Sequence, residues 1–169
     1  VLQFDKWDEN LSFPNLNLVE LLAGKTRAFL TRYTPRDLYD LYRINKLGMK
    51  FEQKKLHDLF LYALLTASES HSNILPPNWS TISPTDVTRN LQPMLIRGEY
   101  PDIQSMNEGA KQLIEPMITL TEEELEIFDK FDATGEIKLD LIVRDTIVER
   151  ISKSPAFKWK QLNLKQRSA

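Results

Sequence analysis

The chain has 169 residues, with 41% hydrophobic and 27% charged residues and a formal net charge of -2. This near-neutral balance excludes a generic polyanion binder that depends on overall basic charge. There is no cysteine, which excludes disulfides, zinc–thiolate sites and cysteine nucleophiles. No apolar run approaches the length of a membrane span and no signal peptide is visible, so we expect a cytoplasmic protein with no membrane partner.

The first 16 residues differ in pattern from the rest of the chain. Val1–Trp7 alternates loosely between apolar and polar residues, which indicates a strand, and residues 8–16 contain the Asn, Ser and Pro typical of a turn. From residue 17 onward the apolar residues recur at helical spacing. We therefore predict a mainly α fold, an irregular bundle of about six or seven helices over residues 17–169, preceded by a short N-terminal β segment.

Two helices are predicted between Asn17 and Asn45. Asn17 followed by Glu20 has the spacing of a capping box at the start of the first helix. Thr34 followed by Pro35 predicts the start of the second helix, because threonine caps helices and proline is favoured at the first helical position. The two helices should therefore form a hairpin with a very short turn.

Charged residues lie where these two helices should be apolar. Lys25 falls within the leucine-rich stripe of the first helix, and Arg32 follows on the same side. Asp37 and Asp40 border the apolar side of the second helix, where Arg36 can pair with Asp40 across one turn. A lysine and two carboxylates on neighbouring faces suit phosphoryl or nucleotidyl transfer.

Each of these charges also has a purely structural explanation. The stem of Lys25 can cover apolar surface while its ammonium group reaches water. Asp37 lies in the first turn of its helix, where an acid favours the helix dipole. Both explanations remain open on the helical pattern alone.

Five further helices are predicted beyond the hairpin, with a loop rich in Pro, Asn and Ser at residues 72–83 as the main internal break. The fourth of these five helices begins with the capping box of Thr121 and Glu124. The predicted ranges are Phe51–Ser70, residues 84–97, Met106–Leu120, residues 121–135 and Leu139–Ser152.

The C-terminal tail is basic, since no acidic residue follows Glu149. Lys158, Trp159 and Lys160 place cations beside an aromatic ring, a pattern that can track a nucleic-acid backbone and stack a base. A solvated, partly docked tail is the structural alternative.

The hairpin region resembles the C-terminal signature of the AbiEii/AbiGii toxin family of nucleotidyltransferases. That signature has a leucine-rich helix start, a small residue, a lysine, an arginine and then Arg-Asp-x-x-Asp-Leu. A weaker resemblance to the ending of these proteins involves Pro155, Trp159 and Lys160. The matching hairpin residues are Leu21, Leu22, Ala23, Lys25, Arg32, Arg36, Asp37, Asp40 and Leu41.

The resemblance implies an enzyme that transfers a nucleoside monophosphate from an NTP to an acceptor with Mg²⁺, as the toxin of a toxin–antitoxin pair in phage defence. The acceptor implied is tRNA, and a cognate antitoxin is an implied partner. Lys25 would contact the triphosphate. Asp37 would orient Lys25 or act as a base, and Asp40 would support the site. Arg32 and Arg36 would bind substrate.

One departure from the family pattern shapes these expectations. The chain contains no Asp-x-Asp pair and no paired glycines, which family members use to bind metal and nucleotide. We therefore expect residues 1–16 to be the end of a nucleotidyltransferase half that is missing here, and residues 17–169 to be its C-terminal helical domain. That half would hold the Mg²⁺ ligands, and the fragment alone would be inactive. The alternative is a non-catalytic helical module that binds a partner protein or RNA.

Overall fold

The fold was examined in a computed structural model, which describes residues 17–168 except Arg97, Glu99 and Arg144. Nine α-helices and no strand occur within these described residues, so the predicted mainly α fold is confirmed. The strand predicted at Val1–Trp7 lies outside them. The helices are α1 Leu18–Arg32, α2 Pro35–Lys46, α3 Gln53–Leu65, α4 His71–Ile74, α5 Pro84–Asn90, α6 Ile103–Ile118, α7 Glu122–Thr134, α8 Asp145–Lys153 and α9 Pro155–Ser168.

The predicted helix starts are built by the caps that the sequence indicates. The Thr34 side chain accepts a hydrogen bond from the backbone of Asp37, with Pro35 at the first helical position. Ser83 caps α5 in the same way, ahead of Pro84. Because each cap satisfies a backbone N–H that the helix leaves unpaired, short polar-proline pairs fix where these helices begin.

The capping box predicted at the start of α1 is only half formed. Asn17 does cap the helix, accepting a hydrogen bond from the backbone N–H of Val19. Glu20 instead pairs with Arg150 of α8 at 2.5 Å. A distant guanidinium has therefore replaced the local backbone as partner of this carboxylate, and the pair ties the first helix to the eighth.

The core lies where α1, α2, α3 and α6 pack together. Helix α2 packs against α6 and α1, and α3 packs against α1, α6 and α8. The largest fully buried side chains include Phe29, Phe60, Phe128 and Phe131. Burying a large apolar side chain contributes about 1.5–3 kcal/mol, so these aromatic residues anchor the bundle that carries the hairpin.

The helix count exceeds the prediction because two regions are more ordered than their composition indicated. Residues His71–Ile74, at the start of the predicted 72–83 break, form a single helical turn, and the basic tail forms α9. The helix predicted at Leu139–Ser152 is also wrong at its start. A 3₁₀ turn at Leu139–Leu141 precedes α8, which begins only at Asp145.

Helix α9 is held by a buried cation. The ammonium of Lys160 donates hydrogen bonds to the carbonyl oxygens of Glu69 at 2.8 Å and Leu64 at 3.4 Å, and lies 3.6 Å from Asp132. Burial lowers the pKa of Lys160, and the nearby carboxylate opposes that change. The same Asp132 accepts a hydrogen bond from the ring of His71 at 2.7 Å. This network joins α9 to α3, α4 and α7.

The capping box of α7 predicts a pH-dependent contribution to stability. Partial burial alone would raise the pKa of Glu124, but hydrogen bonds from the Thr121 backbone and the His57 ring lower it below the ordinary 4.5. A carboxylate with a lowered folded-state pKa stabilises the fold above pH 4.5, and that contribution disappears as the pH falls through the folded-state value.

We expect Glu124→Gln to cost about 1 kcal/mol of unfolding free energy at pH 7, because the amide keeps the shape but loses the charge. Urea unfolding of the wild type and the variant at pH 7, 5, 4 and 3 measures the difference. The gap should shrink below pH 4.5, since protonated Glu124 then resembles glutamine. A gap that stays constant down to pH 3 contradicts this assignment.

Candidate functional site

The α1–α2 hairpin positions the five predicted charged residues of the candidate site, Lys25, Arg32, Arg36, Asp37 and Asp40. Only Tyr33 and Thr34 separate the two helices, and Tyr33 takes a left-handed backbone conformation with φ 48°. The Tyr33 hydroxyl accepts a hydrogen bond from the backbone N–H of Asn78, and its ring packs edge-on against Phe29. These contacts hold an unfavourable backbone conformation and so fix how α2 faces α1.

Lys25 and Asp40 meet across this hairpin although 15 positions separate them in sequence. The Lys25 ammonium lies 2.5 Å from the Asp40 carboxylate, with the two side chains 33% and 42% exposed. The sequence left open a pairing of Asp40 with Arg36 across one turn, but in the structure Asp40 pairs with Lys25. Because both groups are partly open to water, the Lys25 ammonium can exchange Asp40 for a phosphate oxygen without a large desolvation penalty.

Asp37 is held more tightly than Asp40. Its carboxylate accepts hydrogen bonds from Arg32 at 2.8 Å and from the Thr34 hydroxyl at 2.7 Å, and its side chain is only 11% exposed. The expected contact of Asp37 with Lys25 is not formed, because Arg32 occupies that role. The structure therefore gives the two aspartates different partners: Asp40 holds Lys25, and Asp37 holds Arg32.

A groove of about 610 Å³ opens at the turn between the helices. Arg36 projects along it and donates a hydrogen bond to the carbonyl oxygen of Asn90 at 3.4 Å. The groove is lined by predicted site residues of the hairpin and by two polar residues of α5. The sequence did not predict the α5 residues as part of the site. Its lining is Arg32, Tyr33, Thr34, Pro35, Arg36, Asp37, Asp86 and Asn90.

The missed residue Asp86 carries a signal in the sequence. Hydrogen bonds from the side chain and backbone of Ser83 lower the pKa of Asp86, and this half-buried carboxylate completes the capping box at the N-terminus of α5. Asp37 stands at the equivalent position after Thr34-Pro35. The sequence predicts that the two helices begin alike, since each has a polar residue and a proline at its start, but only packing shows that α5 lies against α2.

The described residues do not fit a Mg²⁺ site. Asp37 and Asp40 are each paired with a cation, which leaves neither carboxylate free to face the other across a metal. Among the residues that the structure describes, no group of three or more His, Asp or Glu side chains is placed to hold a metal ion. We therefore derive no chemical step through a metal at the hairpin.

Comparison with known proteins identifies the family. The description "Nucleotidyl transferase AbiEii toxin, Type IV TA system" matches residues 2–134. The chain belongs to this family. No curated protein and no solved structure matches the chain.

The match to the AbiEii family covers all of the hairpin and ends at Thr134, the last residue of α7. The candidate site of this AbiEii family member therefore lies wholly within the matched part. Helices α8 and α9 lie beyond it, together with the second, weaker resemblance noted at Pro155, Trp159 and Lys160. Within the described part of the chain, no helix is both long and apolar enough to cross a bilayer.

The three residues of the predicted nucleic-acid tail lie in different environments in the structure. Trp159 is 62% exposed, and Lys158 is exposed beside it. Lys160 is 4% exposed and its ammonium is hydrogen-bonded inside the protein. The expectation that Lys160 is available to nucleic acid is wrong, because its helical position turns it toward α3 and α7.

The different burial of the two aspartates predicts different effects on stability. Asp37→Ala removes the partner of Thr34 and leaves Arg32 without its carboxylate, so we expect a loss of about 1–2 kcal/mol in unfolding free energy. Asp40→Ala breaks a half-exposed pair and should cost less than about 1 kcal/mol. Urea unfolding at pH 7 measures both. Equal losses would show that the tighter contacts of Asp37 do not stabilise the hairpin.

Proposed function

We propose that this chain forms the C-terminal helical part of a nucleotidyltransferase, the toxin of a toxin–antitoxin system in phage defence. The enzyme transfers a nucleoside monophosphate from an NTP to an acceptor, for which tRNA is our candidate. The observation that carries the proposal is the Lys25–Asp40 pair. It brings together two residues of the family signature, beside a groove that contains three more.

The chemistry follows from the charges on the hairpin. In nucleotidyl transfer an acceptor hydroxyl loses its proton to water and its oxygen attacks the α-phosphorus of the NTP. The bond from that phosphorus to the oxygen that bridges the α- and β-phosphates breaks, and pyrophosphate leaves with this oxygen. Negative charge increases on the phosphate oxygens during this step. An ammonium group already aimed at that position stabilises the charge without reorganising. We assign this role to Lys25, with Asp40 as the residue that orients it.

Arg32 and Arg36 are proposed to bind the phosphates of the substrate. A guanidinium group presents a planar set of donors that matches phosphate oxygens. Arg32 is 61% exposed in its side chain while still bonded to Asp37, so one edge of the guanidinium remains open. Asp37 is then a positioning residue, which fixes Arg32 at the entrance of the groove.

Mg²⁺ belongs to the proposed reaction as the ion that accompanies the NTP. Its protein ligands are expected outside the described residues. A cognate antitoxin is the proposed cellular partner, on the strength of the family alone.

A second candidate function is a non-catalytic helical module that binds a partner protein or RNA. The observation that favours it is that Lys25 and Asp37 both already have partners of opposite charge. A pair that only stabilises the hairpin has the same geometry. The two functions differ in what Lys25 does to turnover.

The decisive experiment measures nucleotide transfer by the full natural protein. Radiolabelled NTPs, Mg²⁺ and total tRNA are incubated with the wild type and with Lys25→Met. We expect the variant to lose about 100-fold or more in rate, because its side chain keeps the apolar stem but not the charge.

Lys54→Met is the matched control, since it removes an exposed lysine of α3 and should leave the rate unchanged. Urea unfolding shows whether each variant is folded. Full transfer activity in folded Lys25→Met would overturn the catalytic assignment. Absence of transfer by the wild type with every NTP would favour the binding module.

A further inference from the structure

A second pocket lies on the same helix as the candidate site, beyond the residues of the family signature. It has a volume of about 400 Å³ and is open to solvent on one side of the C-terminal half of α2. We call it the tyrosine pocket. It is lined by Tyr39, Tyr42, Arg43, Lys46, Gly98, Tyr100 and Pro101.

The aromatic rings of the tyrosine pocket are partly fixed and partly accessible. Tyr42 is buried, and Gly109 of α6 lies so close that a Cβ there would be 2.9 Å from the tyrosine ring. The Tyr39 ring is 6.2 Å from that of Tyr42 at an angle of 39°. Tyr100 is 44% exposed. The exposed ring of Tyr100, beside the packed rings of Tyr39 and Tyr42, provides a stacking surface for a planar ligand.

Among the described lining residues of the tyrosine pocket, the two charged side chains are Arg43 and Lys46, and both are positive. Tyr39, Arg43 and Lys46 follow one another at i, i+4 and i+7, so they share one face of α2. The Lys46 ammonium lies 5.0 Å from the centre of the Tyr42 ring. Neither Arg43 nor Lys46 pairs with a carboxylate among the residues that the structure describes, and no carboxylate appears in the lining. The pocket therefore favours an anion that carries an aromatic group.

The pocket overlaps the candidate site along α2, because its lining residue Tyr39 directly precedes Asp40 in the sequence. Asp40 precedes Arg43 by three residues, a rise of about 4.5 Å along the helix. Lys46 lies about 9 Å beyond Asp40 by the same measure. Along the axis of α2, the pocket residues therefore extend from the level of the Lys25–Asp40 pair to about 9 Å beyond it.

We propose that the tyrosine pocket binds a nucleotide of a single-stranded RNA and guides that strand toward Lys25. This inference rests on the proposed function, and it specifies where the acceptor is held. A base stacks on the exposed ring of Tyr100, and Arg43 and Lys46 contact the adjoining phosphates.

The test measures RNA binding without turnover. Fluorescence anisotropy follows a labelled, unstructured 12-nucleotide RNA as it binds the full natural protein without NTP. Arg43→Gln/Lys46→Gln should weaken binding at least tenfold at low salt. The slope of log affinity against log salt should fall by about 1.4, since each phosphate contact on a single strand contributes about 0.7.

A matched control removes the same charge elsewhere. Lys54→Gln/Lys130→Gln neutralises two exposed lysines on α3 and α7, and it should change affinity less than twofold. A second variant, Tyr100→Leu, removes the exposed ring and should weaken binding about tenfold while leaving the salt slope unchanged. Because Tyr100 is half exposed, this substitution should not disturb folding.

Three results would overturn the proposal. The first is RNA affinity in Arg43→Gln/Lys46→Gln and Tyr100→Leu equal to that of the control. The second is displacement of RNA by polyglutamate as readily as by unlabelled RNA, which would indicate an acidic protein partner. The third is loss of ATP–Mg²⁺ binding in the double variant with RNA binding intact.

The binding assay also separates this proposal from the proposed catalytic function. Lys25→Met should weaken RNA binding much less than Arg43→Gln/Lys46→Gln does, since Lys25 is not part of the tyrosine pocket. If Lys25→Met transfers nucleotide normally, the catalytic assignment fails. If the tyrosine-pocket variants bind RNA normally, only the acceptor site fails.

Discussion

The register between α1 and α2 is the constraint on which the candidate site depends. A connection of two residues, with Tyr33 in the left-handed conformation, sets this register. It brings Asp40 opposite Lys25 and Asp37 opposite Arg32. One residue added to the turn would rotate each aspartate by about 100° around α2, and both pairs would separate together.

The same two ion pairs determine the charge that α2 exposes to solvent. Both of its aspartates are neutralised by cations of α1, whereas Arg36, Arg43 and Lys46 form no ion pair with the described residues. The outer face of α2 is therefore cationic, although the chain as a whole has a net charge of -2. Overall charge is a poor guide here, because a local field depends on which charges are already paired.

Sequence reasoning succeeded where the determining contacts are local. Thr34-Pro35 and Thr121 with Glu124 specify helix starts through neighbours three residues away, and such patterns are visible in a linear sequence. Ser154-Pro155 repeats the first of these patterns and could have predicted α9. The burial of Lys160 could not be predicted in this way, because its partners Leu64 and Glu69 lie more than 90 positions earlier. The groove likewise needs Asn90 of α5, which only tertiary packing supplies.

The packed core extends beyond the part of the chain that matches the family. The match ends at Thr134, yet Phe131 stacks on Phe157 with ring centres 5.6 Å apart, and Asp132 lies beside Lys160. A fragment trimmed to the matched boundary would expose an aromatic ring and leave a half-buried carboxylate without its cation. Expression designs for this protein should therefore retain α9, because the last helix completes a core whose other members lie within the match.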